Sequence, residues 1–427
     1  MCRKGAVPDG SGDRMPGAFV DFYKGQCYIA SYNEGRRNSR FWTDTSLHDP
    51  RRFVTLLIPA GARRGREKKT ERYMIMKKTL VVTAVGSFSA PAVVKGLKEL
   101  GYRVVGTELN PPEYIAESAE TDRFVQVPRC DAGEAYLSAL EAVVKEEEAE
   151  GIVPLTDAEI DVLNGCRERF LPAKLWISPE DVIRRARNKA LSAEAARKAA
   201  EEMKAEAAPG EETVFSVIPT VRLTDWLKDR DEGGSAERDP AMAEVSRLPL
   251  VFKPDNGRSS EGLFRIYTPE DTMRALTEIF SVPGNEDRYL VQPLIKGNVV
   301  AVDCVRDEDG NSAALAREEC LRTHNGAGLS VRVYRDAAVE RFTALAAAEL
   351  GVTGCVNFEF IRAGEREYRF LECNPRFAGG AGFSVTAGLD VVKLHADVFA
   401  GRTISPENPA RNMSIARKYV EVVTKEC

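Results

Sequence analysis

The chain has 427 residues, of which 43% are hydrophobic, and a formal net charge of −5. This length predicts about two to four domains, and the apolar content is sufficient for packed cores. No apolar run approaches the roughly 20 residues that a membrane-spanning helix needs. We therefore expect a cytoplasmic, soluble protein that does not bind a membrane.

The cysteines and histidines of the sequence give little support for a zinc site or a histidine-based catalytic triad. The nine cysteines include no Cys-x-x-Cys pair, which is typical of reduced thiols in a cytosolic protein. The three histidines, His48, His324 and His395, offer few candidates for a zinc site or a histidine-based triad. Any chemistry is therefore expected from lysine, arginine, aspartate and glutamate.

Residues 1–75 differ in charge and pattern from the rest of the chain. They hold 15 Lys and Arg against 8 Asp and Glu, and they show no sustained helical or strand periodicity. Most arginines near the apolar run FVTLLIPAGA follow it, unlike those of a signal peptide. We expect a disordered extension or a non-native start, with translation beginning at Met74 or Met76. A basic arm for nucleic acid or membrane is the less favoured alternative, because acidic residues are interspersed.

From Leu80 onward, predicted strands and helices alternate. TLVVTAV, YRVVGTEL, FVQVP and GIVPL predict strands, while APAVVKGLKELG, EAYLSALEAVVKEEEAE and the run from TDAEIDVL predict helices. This order predicts an α/β domain with a doubly wound parallel sheet. Ligands of such sheets bind at the carboxyl ends of the strands. The candidates at these ends are Gly86, Ser87, Phe88, Ser89, Glu108, Thr156, Asp157 and Glu159.

A dinucleotide-binding dehydrogenase is one alternative for this domain. Glu108 follows Gly86 at nearly the spacing of the acid that holds a ribose in such folds. However, Phe88 and Pro91 occupy the second and third glycine positions of the fingerprint, where the pyrophosphate approaches the backbone. The missing glycines count against this alternative.

Two lysines in the middle of the chain are candidates for phosphate binding. Residues 182–207 predict one long helical stretch in which Lys189 is either a solvated lysine or a ligand group. The polar segment 225–247 predicts a loop or flexible excursion that is not part of a core. Lys253 follows in the apolar strand LPLVFKP, where an unpaired ammonium is costly, and the loop DNGRSSEG comes directly after it. Such a loop can bind phosphates together with the lysine, although a surface hairpin that carries a lysine would look similar.

Acidic residues on two predicted strands are candidates for a metal site. GCVNFEFI places Asn357 and Glu359 on one face, and YRFLECN places Glu372 and Asn374 on one face. Two carboxylates and an amide oxygen suit Mg²⁺ that bridges phosphates. The alternative is that these glutamates form cross-strand salt bridges with Arg362 or Arg369.

Two further features complete the pattern. RYLVQPLIKGNVVAVDCV predicts a strand, a turn at Lys296 and Gly297, and a second strand, the layout of a hinge whose backbone can pair with an adenine edge. Arg376 lies beside the glycine-rich turn of NPRFAGGAGFS. Its guanidinium can bind a phosphate or carboxylate in bidentate fashion.

From about residue 79 to about residue 394 the chain resembles ATP-grasp enzymes of the carbamoyl-phosphate-synthase-like carboxylate–amine ligase group. The resemblance rests on TLVVTAVGSFSAPAVVKGLKELGYRVVG through IVPLTDAEID, on RNKALSAEAARKA, on VFKPDNG and on ECNPRF. It implies an α/β (α+β grasp) fold, with a pre-ATP-grasp domain over 76–178. A small lobe with a flexible lid over 179–293 and a large C-terminal lobe over 294–427 are implied to follow.

The resemblance also implies roles for individual residues. It implies that ATP is bound by Lys189, by Lys253, by the lid residues Gly257, Ser259, Ser260 and Gly262, and by the hinge residues Gln292, Pro293 and Leu294. It implies that Mg²⁺ or Mn²⁺ is bound by Glu359, Glu372 and Asn374. Arg376 fits the arginine on the phosphate side, and Arg317 fits an arginine ahead of the acceptor region. One departure is Val299, which stands where the family usually carries a glutamate that holds the ribose hydroxyls.

The implied reaction joins a small-molecule carboxylate to an amine or a thiol. The carboxylate attacks the γ-phosphate of ATP, an acylphosphate forms with release of ADP, and the nucleophile then displaces phosphate. A catalytically degenerate ATP-grasp protein that acts as a nucleotide-binding sensor or partner module is the main alternative, and Val299 favours it. A homodimer is common in the resembling group, and no nucleic-acid partner is expected.

Overall fold

The computed structural model describes residues 18–23, 26–31, 78–207, 213–231, 239–255, 257, 262–323 and 326–426. It divides into two units, Met1–Met74 and Ile75–Cys427. In the first unit it describes an antiparallel hairpin of β1 (Ala18–Tyr23) and β2 (Gln26–Ser31). The predicted disorder of the remaining extension and the predicted start at Met74 or Met76 lie outside the described residues, so both stay predictions.

The second unit begins with a parallel α/β domain, as predicted from the alternating pattern. Its strands pair in parallel in the order β5-β4-β3-β6-β7. All residues of β3 and all but the first residue of β4 are buried, as expected where helices cover both faces of a parallel sheet. The elements are β3 (Thr79–Thr83), α1 (Ala90–Glu99), β4 (Arg103–Glu108), β5 (Arg123–Gln126), α2 (Glu134–Glu146), β6 (Gly151–Val153), α3 (Asp157–Asn164) and β7 (Lys174–Leu175).

A helix pair and a four-stranded antiparallel sheet follow. The elements are α4 (Glu180–Arg187), α5 (Lys189–Glu206), β8 (Val214–Val217), β9 (Val221–Arg222), α6 (Leu223–Asp231), α7 (Pro240–Glu244), β10 (Leu250–Pro254), β11 (Phe264–Ile266), α8 (Pro269–Phe280) and β12 (Tyr289–Pro293). Four of the strands form a sheet in the order β11-β10-β12-β9. Helices α6, α7 and α8 bury apolar residues against this sheet. We call this sheet with its helices the small lobe.

The predicted single helix over 182–207 is two helices, so that prediction was wrong. Asn188 has φ −85° and ψ 114°, and its side chain accepts hydrogen bonds from the backbone N–H groups of Ala190 and Leu191. Asparagine in this role is an N-cap, which starts a new helix because it satisfies donors that have no partner inside the helix. Lys189 is consequently the first residue of α5.

The predicted loop over 225–247 was also wrong, because α6 and α7 occupy much of it, while residues 232–238 lie outside the described part. Trp226 anchors α6 in the core: its indole Nε1 donates to the carbonyl of Val245 at 3.0 Å, and its ring packs edge-on against Phe252 at 5.2 Å. One large aromatic side chain can hold an otherwise charged helix on a sheet. The charged residues around Trp226 concealed this anchor in the sequence.

The large lobe is a seven-stranded sheet with helices packed on its faces. Its elements are β13 (Asn298–Arg306), β14 (Ser312–Arg322), β15 (Gly328–Tyr334), α9 (Ala337–Leu350), β16 (Gly354–Gly364), β17 (Glu367–Asn374), α10 (Ala381–Ala387), α11 (Val391–Phe399) and β18 (Met413–Ala416). The strand order is β18-β15-β14-β13-β16-β17-β8, and only the pair of β17 with β8 is parallel. Across the described segments of the chain, no helix combines the length and the apolar character needed to span a bilayer.

The parallel domain and the large lobe share one hydrophobic core. Val93 and Leu97 of α1 are buried in the same cluster as Val391 and Val392 of α11. The two helices approach closely at Gly96, where an added Cβ would lie 2.8 Å from Cγ1 of Val392. This packing fixes the carboxyl ends of β3 and β6 opposite the end of β17, and the site lies between them.

A buried histidine in this core makes stability depend on pH. His395 accepts a hydrogen bond at Nδ1 from the backbone N–H of Cys355 at 2.9 Å, and Phe399 and Phe377 pack against its ring. Burial lowers the pKa of His395 to about 3. The unfolded chain, with an ordinary histidine pKa, therefore binds more protons below about pH 6.5, and this contribution to stability is lost as the pH falls from there toward 3.

We expect this group alone to lower the free energy of unfolding by roughly 2 kcal/mol between pH 7 and pH 5. Urea unfolding at the two pH values, compared between the unsubstituted protein and His395→Gln, measures the effect. Glutamine keeps an acceptor for the N–H of Cys355 but does not titrate in this range. An equal pH dependence in both proteins would show that His395 is not the responsible group.

Candidate active-site cleft

A cleft of about 420 Å³ lies between the parallel domain, the small lobe and the large lobe. It brings together residues that are distant in sequence. The predicted site residues that line it are Lys189, Lys253, Gly257, Arg317, Glu359, Glu372, Asn374 and Arg376. Ser87, Phe88, Ser89, Thr156 and Asp157, which were predicted at the carboxyl ends of the parallel strands, form the opposite wall.

Sheet register explains why the charged groups of the large lobe face one another. Glu372 pairs with Glu359, Glu359 pairs with Ala301, and Ala301 pairs with Arg317 across four neighbouring strands. Directly opposed residues of an antiparallel sheet point to the same face. The small side chain of Ala301 leaves space in the middle of the row. Two carboxylates and a guanidinium therefore stand along one line of the cleft floor.

The two glutamates form a site with excess negative charge. Burial, and then the neighbouring charge of Glu372, raise the pKa of Glu359 to about 7. The amide nitrogen of Asn374 lies 3.4 Å from Oε1 of Glu372, so its donor side faces the carboxylate. Adjacent carboxylates with an amide oxygen fit a hard divalent cation, whose charge would remove the repulsion. Within the described residues no cluster of three or more His, Cys, Asp or Glu side chains could hold a metal ion, so the candidate site has only two carboxylates, beside the amide of Asn374.

The proposed salt bridges of these glutamates with Arg362 or Arg369 do not occur. Arg362 lies 3.6 Å from Glu318, on the other side of the sheet, and Arg369 pairs with Glu367. Arg322 approaches the acidic pair, with Nη2 at 3.8 Å from Oε2 of Glu359. The interpretation of the glutamates as ordinary cross-strand ion pairs was therefore wrong.

Of the two candidate phosphate-binding lysines, Lys253 is buried and Lys189 is half-buried. Lys253 has 7% of its surface exposed, and burial lowers the pKa of its ammonium to about 8. Lys189 donates from Nζ to the carbonyl oxygens of Asp255 at 3.0 Å and Gly257 at 3.5 Å, and burial lowers its pKa as well. The interpretation of Lys189 as a solvated helix lysine and the interpretation of Lys253 as a residue of a surface hairpin therefore do not apply. Two poorly compensated ammonium groups at one cleft wall are suited to an anionic ligand.

The predicted lid begins and ends at well-placed glycines. Gly257 lines the cleft, and its carbonyl is one of the two that Lys189 contacts. Gly262 has φ +67°, and its carbonyl accepts a hydrogen bond from the hydroxyl of Tyr289 at 3.0 Å. That left-handed conformation favours glycine. Ser259 and Ser260 lie outside the described residues, so their phosphate contact stays a prediction.

The predicted hinge connects the two lobes. Residue Pro293 ends β12 in the four-stranded sheet, and β13 begins at Asn298 in the seven-stranded sheet. Gly297 passes so close to β16 that an added Cβ would collide with the carbonyl oxygen of Arg362. Gln292 donates to Thr220 at 2.7 Å, and the backbone N–H of Leu294 donates to Pro249 at 3.0 Å.

Gln292, Pro293 and Leu294 do not line the described cleft. Their predicted contact with an adenine edge therefore stays a prediction.

Arg317 is almost completely buried beneath the turn that precedes α10. Its Nη1 lies 2.6 Å from Oδ2 of Asp303, which also accepts a hydrogen bond from Ser384 at 2.7 Å. Gly380 lies over the guanidinium, and a Cβ built there would be 2.6 Å from Nε of Arg317. A glycine is thus required at this position because a buried, ion-paired arginine cannot move away cheaply.

We expect Gly380→Ala to lower the free energy of unfolding by about 1 to 3 kcal/mol, since the added methyl group must displace Arg317 or the turn. Gly382→Ala is the matched control, because its Cβ would meet only Ala92, at an ordinary 3.4 Å. In the helix α10 this control is expected to be neutral or stabilising. Thermal unfolding of both variants measures the difference, and equal midpoints would contradict the close packing of Gly380 on Arg317.

Arg376 is held by a residue of the parallel domain. Its Nε and Nη2 both donate to Oδ2 of Asp157, at 3.0 and 2.6 Å, and its Nη1 donates to the carbonyl of Phe377 at 3.2 Å. Burial works against the charged guanidinium, but Asp157 more than offsets this, and the pKa of Arg376 is raised. Arg376 is therefore a permanently charged group with a fixed orientation at the cleft.

Val299 is on the same face of β13 as Ala301 and Asp303, because alternate residues of a strand share a face. This face of β13 therefore carries valine at position 299, where the family usually carries the ribose-binding glutamate, and Val299 provides no carboxylate. The neighbouring strand β14 provides a carboxylate at Glu319, which lines the cleft. Glu319 directly follows Glu318, the residue that pairs with Val300. Burial raises the pKa of Glu319, and its carboxylate lies 2.6 Å from Nε of Arg322.

Glu108 closes the turn after β3. Its Oε2 accepts a hydrogen bond from the backbone N–H of Gly86 at 3.0 Å, and its Oε1 accepts one from Leu109 at 3.0 Å. In a dinucleotide-binding fold an acid at this position would hold the ribose. Because both oxygens are engaged by backbone, the geometry counts against the dehydrogenase alternative.

Two charged residues that line the cleft, Glu319 and Arg322, were missed by the reasoning from sequence, and so was Asp303, the buried partner of Arg317. Glu319 shares a strand face with Arg317, and this alternation could have identified it. Arg322 and Asp303 had no such signal, because their positions depend on the hairpin between β14 and β15 and on the pairing of β13 with β16.

Two family models match the sequence. Residues 285–423 match a model described as ATP-grasp in the biosynthetic pathway with Ter operon, and residues 81–175 match the PylC-like N-terminal domain. The first match contains Glu359, Glu372 and Arg376, and the second contains Asp157. No curated protein matches the sequence.

Solved structures share the fold at low sequence identity. Biotin carboxylase of Campylobacter jejuni in complex with β,γ-ATP superposes with a TM-score of 0.60 and 16% identity, over 78% of this chain and 74% of that chain. The biotin carboxylase domain dimer of Hydrogenobacter thermophilus 2-oxoglutarate carboxylase, in complex with MgADP, ADP and bicarbonate, has a TM-score of 0.60 and 20% identity, over 78% and 72%. Staphylococcus aureus N5-carboxyaminoimidazole synthetase complexed with ADP has a TM-score of 0.56 and 13% identity, over 77% and 79%.

These identities show the fold alone, and the family models add sequence evidence for the parallel domain and for most of the large lobe, while Lys189 and Lys253 lie between the two matched ranges. The parallel domain corresponds to the pre-grasp part, and the two lobes correspond to the grasp. The fold is therefore a parallel N-terminal half-domain followed by an ATP-grasp domain, and residues 285–423 carry the sequence match to an ATP-grasp family model.

Proposed function

We propose that the protein is an ATP- and Mg²⁺-dependent ligase that joins a small-molecule carboxylate to an amine through an acylphosphate. One observation carries the proposal: Lys189, Lys253 and Arg376 share a single cleft with the acidic pair Glu359 and Glu372. Positive groups for phosphate oxygens and oxygen ligands for a metal are what phosphoryl transfer requires, because the reaction depends on positioning and charge neutralisation.

Each group has a role in the proposed site. Lys189 and Lys253 bind phosphate oxygens of ATP, while Glu359, Glu372 and Asn374 would hold Mg²⁺, which would supply positive charge to neutralise the phosphates. Arg376 binds the phosphoryl group in transfer. Arg317, fixed by Asp303, supplies positive charge beside the acceptor end of the cleft.

The proposed reaction proceeds in two displacements. A carboxylate oxygen of the acid attacks the γ-phosphorus of ATP, the bond to the bridging oxygen breaks, and ADP leaves. The amine nitrogen then attacks the carbonyl carbon of the acylphosphate, loses a proton, and phosphate leaves with the oxygen that came from the acid. A thiol can replace the amine in the second step. No nucleophilic side chain is needed, and exclusion of water protects the acylphosphate.

A second candidate function is a nucleotide-binding sensor or partner module without turnover. Val299 favours it, because the ribose lacks the glutamate that the family usually supplies there. Glu319 is our candidate for a replacement acid, because it lines the cleft on the neighbouring strand. A ligase turns over ATP when its acid and amine are present, whereas a sensor binds ATP without consuming it.

A screen for ADP and phosphate tests the proposal. MgATP is incubated with panels of amino acids, small carboxylic acids and bicarbonate, with and without amines. We expect at least one acid to stimulate the release of ADP and phosphate. Tight MgATP binding without stimulation by any acid would support the sensor, and release of AMP and pyrophosphate would overturn the ligase mechanism.

A further inference from the structure

Asp157 is the residue of the parallel domain that contacts Arg376, the arginine proposed to bind the phosphoryl group in transfer. It is the first residue of α3, and its carboxylate is 6% exposed where it meets the guanidinium of Arg376. The two residues are 219 positions apart in sequence. The contact joins the domain matched as PylC-like to the end of the large-lobe strand that carries Glu372.

Asp157 contacts one edge of the guanidinium of Arg376 and does not contact the opposite edge. Nε and Nη2 each direct a hydrogen to the same oxygen, Oδ2 of Asp157, while Nη1 directs one hydrogen to the carbonyl of Phe377. A guanidinium has five N–H donors, of which these bonds use three. One hydrogen on Nη1 and one on Nη2 remain, and these two nitrogens form the end of the fork that binds phosphate or carboxylate. Asp157 therefore holds Arg376 without blocking that end.

A second arginine connects the same carboxylate to the ATP-binding lysine. Arg187 approaches Oδ1 of Asp157 at 3.5 Å and donates from Nε and Nη2 to Asp161, both at 2.9 Å. Lys189 follows two residues later and contacts the base of the lid. The charge of Asp157 is thus shared between Arg376 and the segment that carries Lys189.

Asp157 lies at a capped helix end in a domain that packs on the large lobe. Thr156 caps α3, with its hydroxyl accepting from the backbone N–H of Glu159 at 3.4 Å. The core shared by α1 and α11 fixes the parallel domain against the large lobe. A carboxylate on a packed helix end can define the orientation of its partner, which exposed flexible pairs cannot do.

We propose that Asp157 is a positioning residue that presents the Nη1 and Nη2 end of Arg376 to the phosphoryl group in transfer. The pre-grasp domain thereby takes part in the reaction as well as in the architecture. This inference rests on the proposed function.

The geometry distinguishes two substitutions of Asp157. Because both bonds from Arg376 end on a single oxygen, Asp157→Asn keeps an acceptor at that place, whereas Asp157→Ala removes it. Asp161→Ala is the matched control, since Asp161 lies on the same helix and accepts two hydrogen bonds from Arg187. A role in the general stability of α3 would make Asp157→Ala and Asp161→Ala alike.

The test measures binding of MgADP with and without aluminium fluoride, which forms a planar mimic of the phosphoryl group in transfer. In the unsubstituted protein we expect aluminium fluoride to tighten MgADP binding. Asp157→Ala should reduce this enhancement about tenfold or more, and Asp157→Asn by less than about threefold. Asp161→Ala should keep the enhancement, and the affinity for MgADP alone should change by less than about threefold in all three variants. Thermal unfolding confirms that each variant is folded.

The outcomes separate the two claims. An enhancement in the unsubstituted protein that Asp157→Ala retains overturns the positioning role but leaves the proposed function. The same loss in Asp157→Ala and Asp161→Ala also overturns it, because the effect then belongs to the helix. No enhancement in the unsubstituted protein overturns the proposed function and the positioning role with it.

Discussion

Replacing Arg376 with lysine should slow ADP formation about a hundredfold or more, while the affinity for MgATP changes by less than about threefold. Lysine keeps the positive charge but cannot form the fork that Asp157 orients. If the free end of the guanidinium contacts the phosphoryl group mainly during transfer, its loss appears in kcat rather than in binding. Arg376→Ala is less suitable, because it leaves a buried carboxylate with one fewer partner.

The measurement compares kcat with the dissociation constant for MgATP, using an acid found in the screen. The control is Arg369→Lys, because Arg369 pairs with Glu367 on the same strand and is not among the residues that line the cleft. A parallel fall in kcat and affinity would mean that Arg376 contributes to binding in the ground state. An unchanged kcat would remove Arg376 from the mechanism.

Replacing Lys253 with methionine should weaken MgATP binding tenfold or more, about 1.4 kcal/mol, and at the same time stabilise the protein without ligand. The ammonium of Lys253 is buried in the core strand β10, and burial already lowers its pKa. Methionine has a similar shape without the cost of a buried charge, so we expect Tm to rise by about 2 °C or more. Opposite changes in binding and stability are typical of a residue retained for function.

Titration calorimetry with MgATP and thermal unfolding without ligand measure the two effects. Lys198→Met is the control, because Lys198 lies on α5 at 3.4 Å from Glu349 and does not line the cleft. It should change neither quantity appreciably. If Lys253→Met binds MgATP normally, Lys253 is a structural lysine and the phosphate site lies elsewhere.

Local sequence signals predicted the parallel domain and much of the site, because those features depend on short-range patterns. A few consecutive residues are enough to recognise the apolar strands, the apolar strand that contains Lys253, and the alternation that places Glu359 on one face of its strand. The register that pairs Glu372 with Glu359 and Ala301 with Arg317 was not visible, since it depends on four strands that meet only in the folded sheet.

The two wrong predictions of secondary structure have a common physical origin, because in each a single residue outweighs the pattern of its neighbours. Asn188 divides one helical pattern into two helices through a side-chain cap, and Trp226 holds a charged segment on the small lobe. The contact between Asp157 and Arg376 was invisible for a different reason, because it joins residues of two domains. The sequence placed each of them at a cleft edge but contained no signal for their pairing.

Oxygen transfer from the acid to phosphate is the most direct test of the central claim. An acid that stimulates ADP release is labelled with ¹⁸O in its carboxylate and incubated with MgATP, the amine and the protein, and the phosphate is then analysed by mass spectrometry. An acylphosphate mechanism predicts one ¹⁸O atom in each phosphate formed, because the attacking carboxylate oxygen stays on phosphorus when the amine displaces it. Phosphate without ¹⁸O would show that water rather than the carboxylate attacks ATP, and would contradict the ligase.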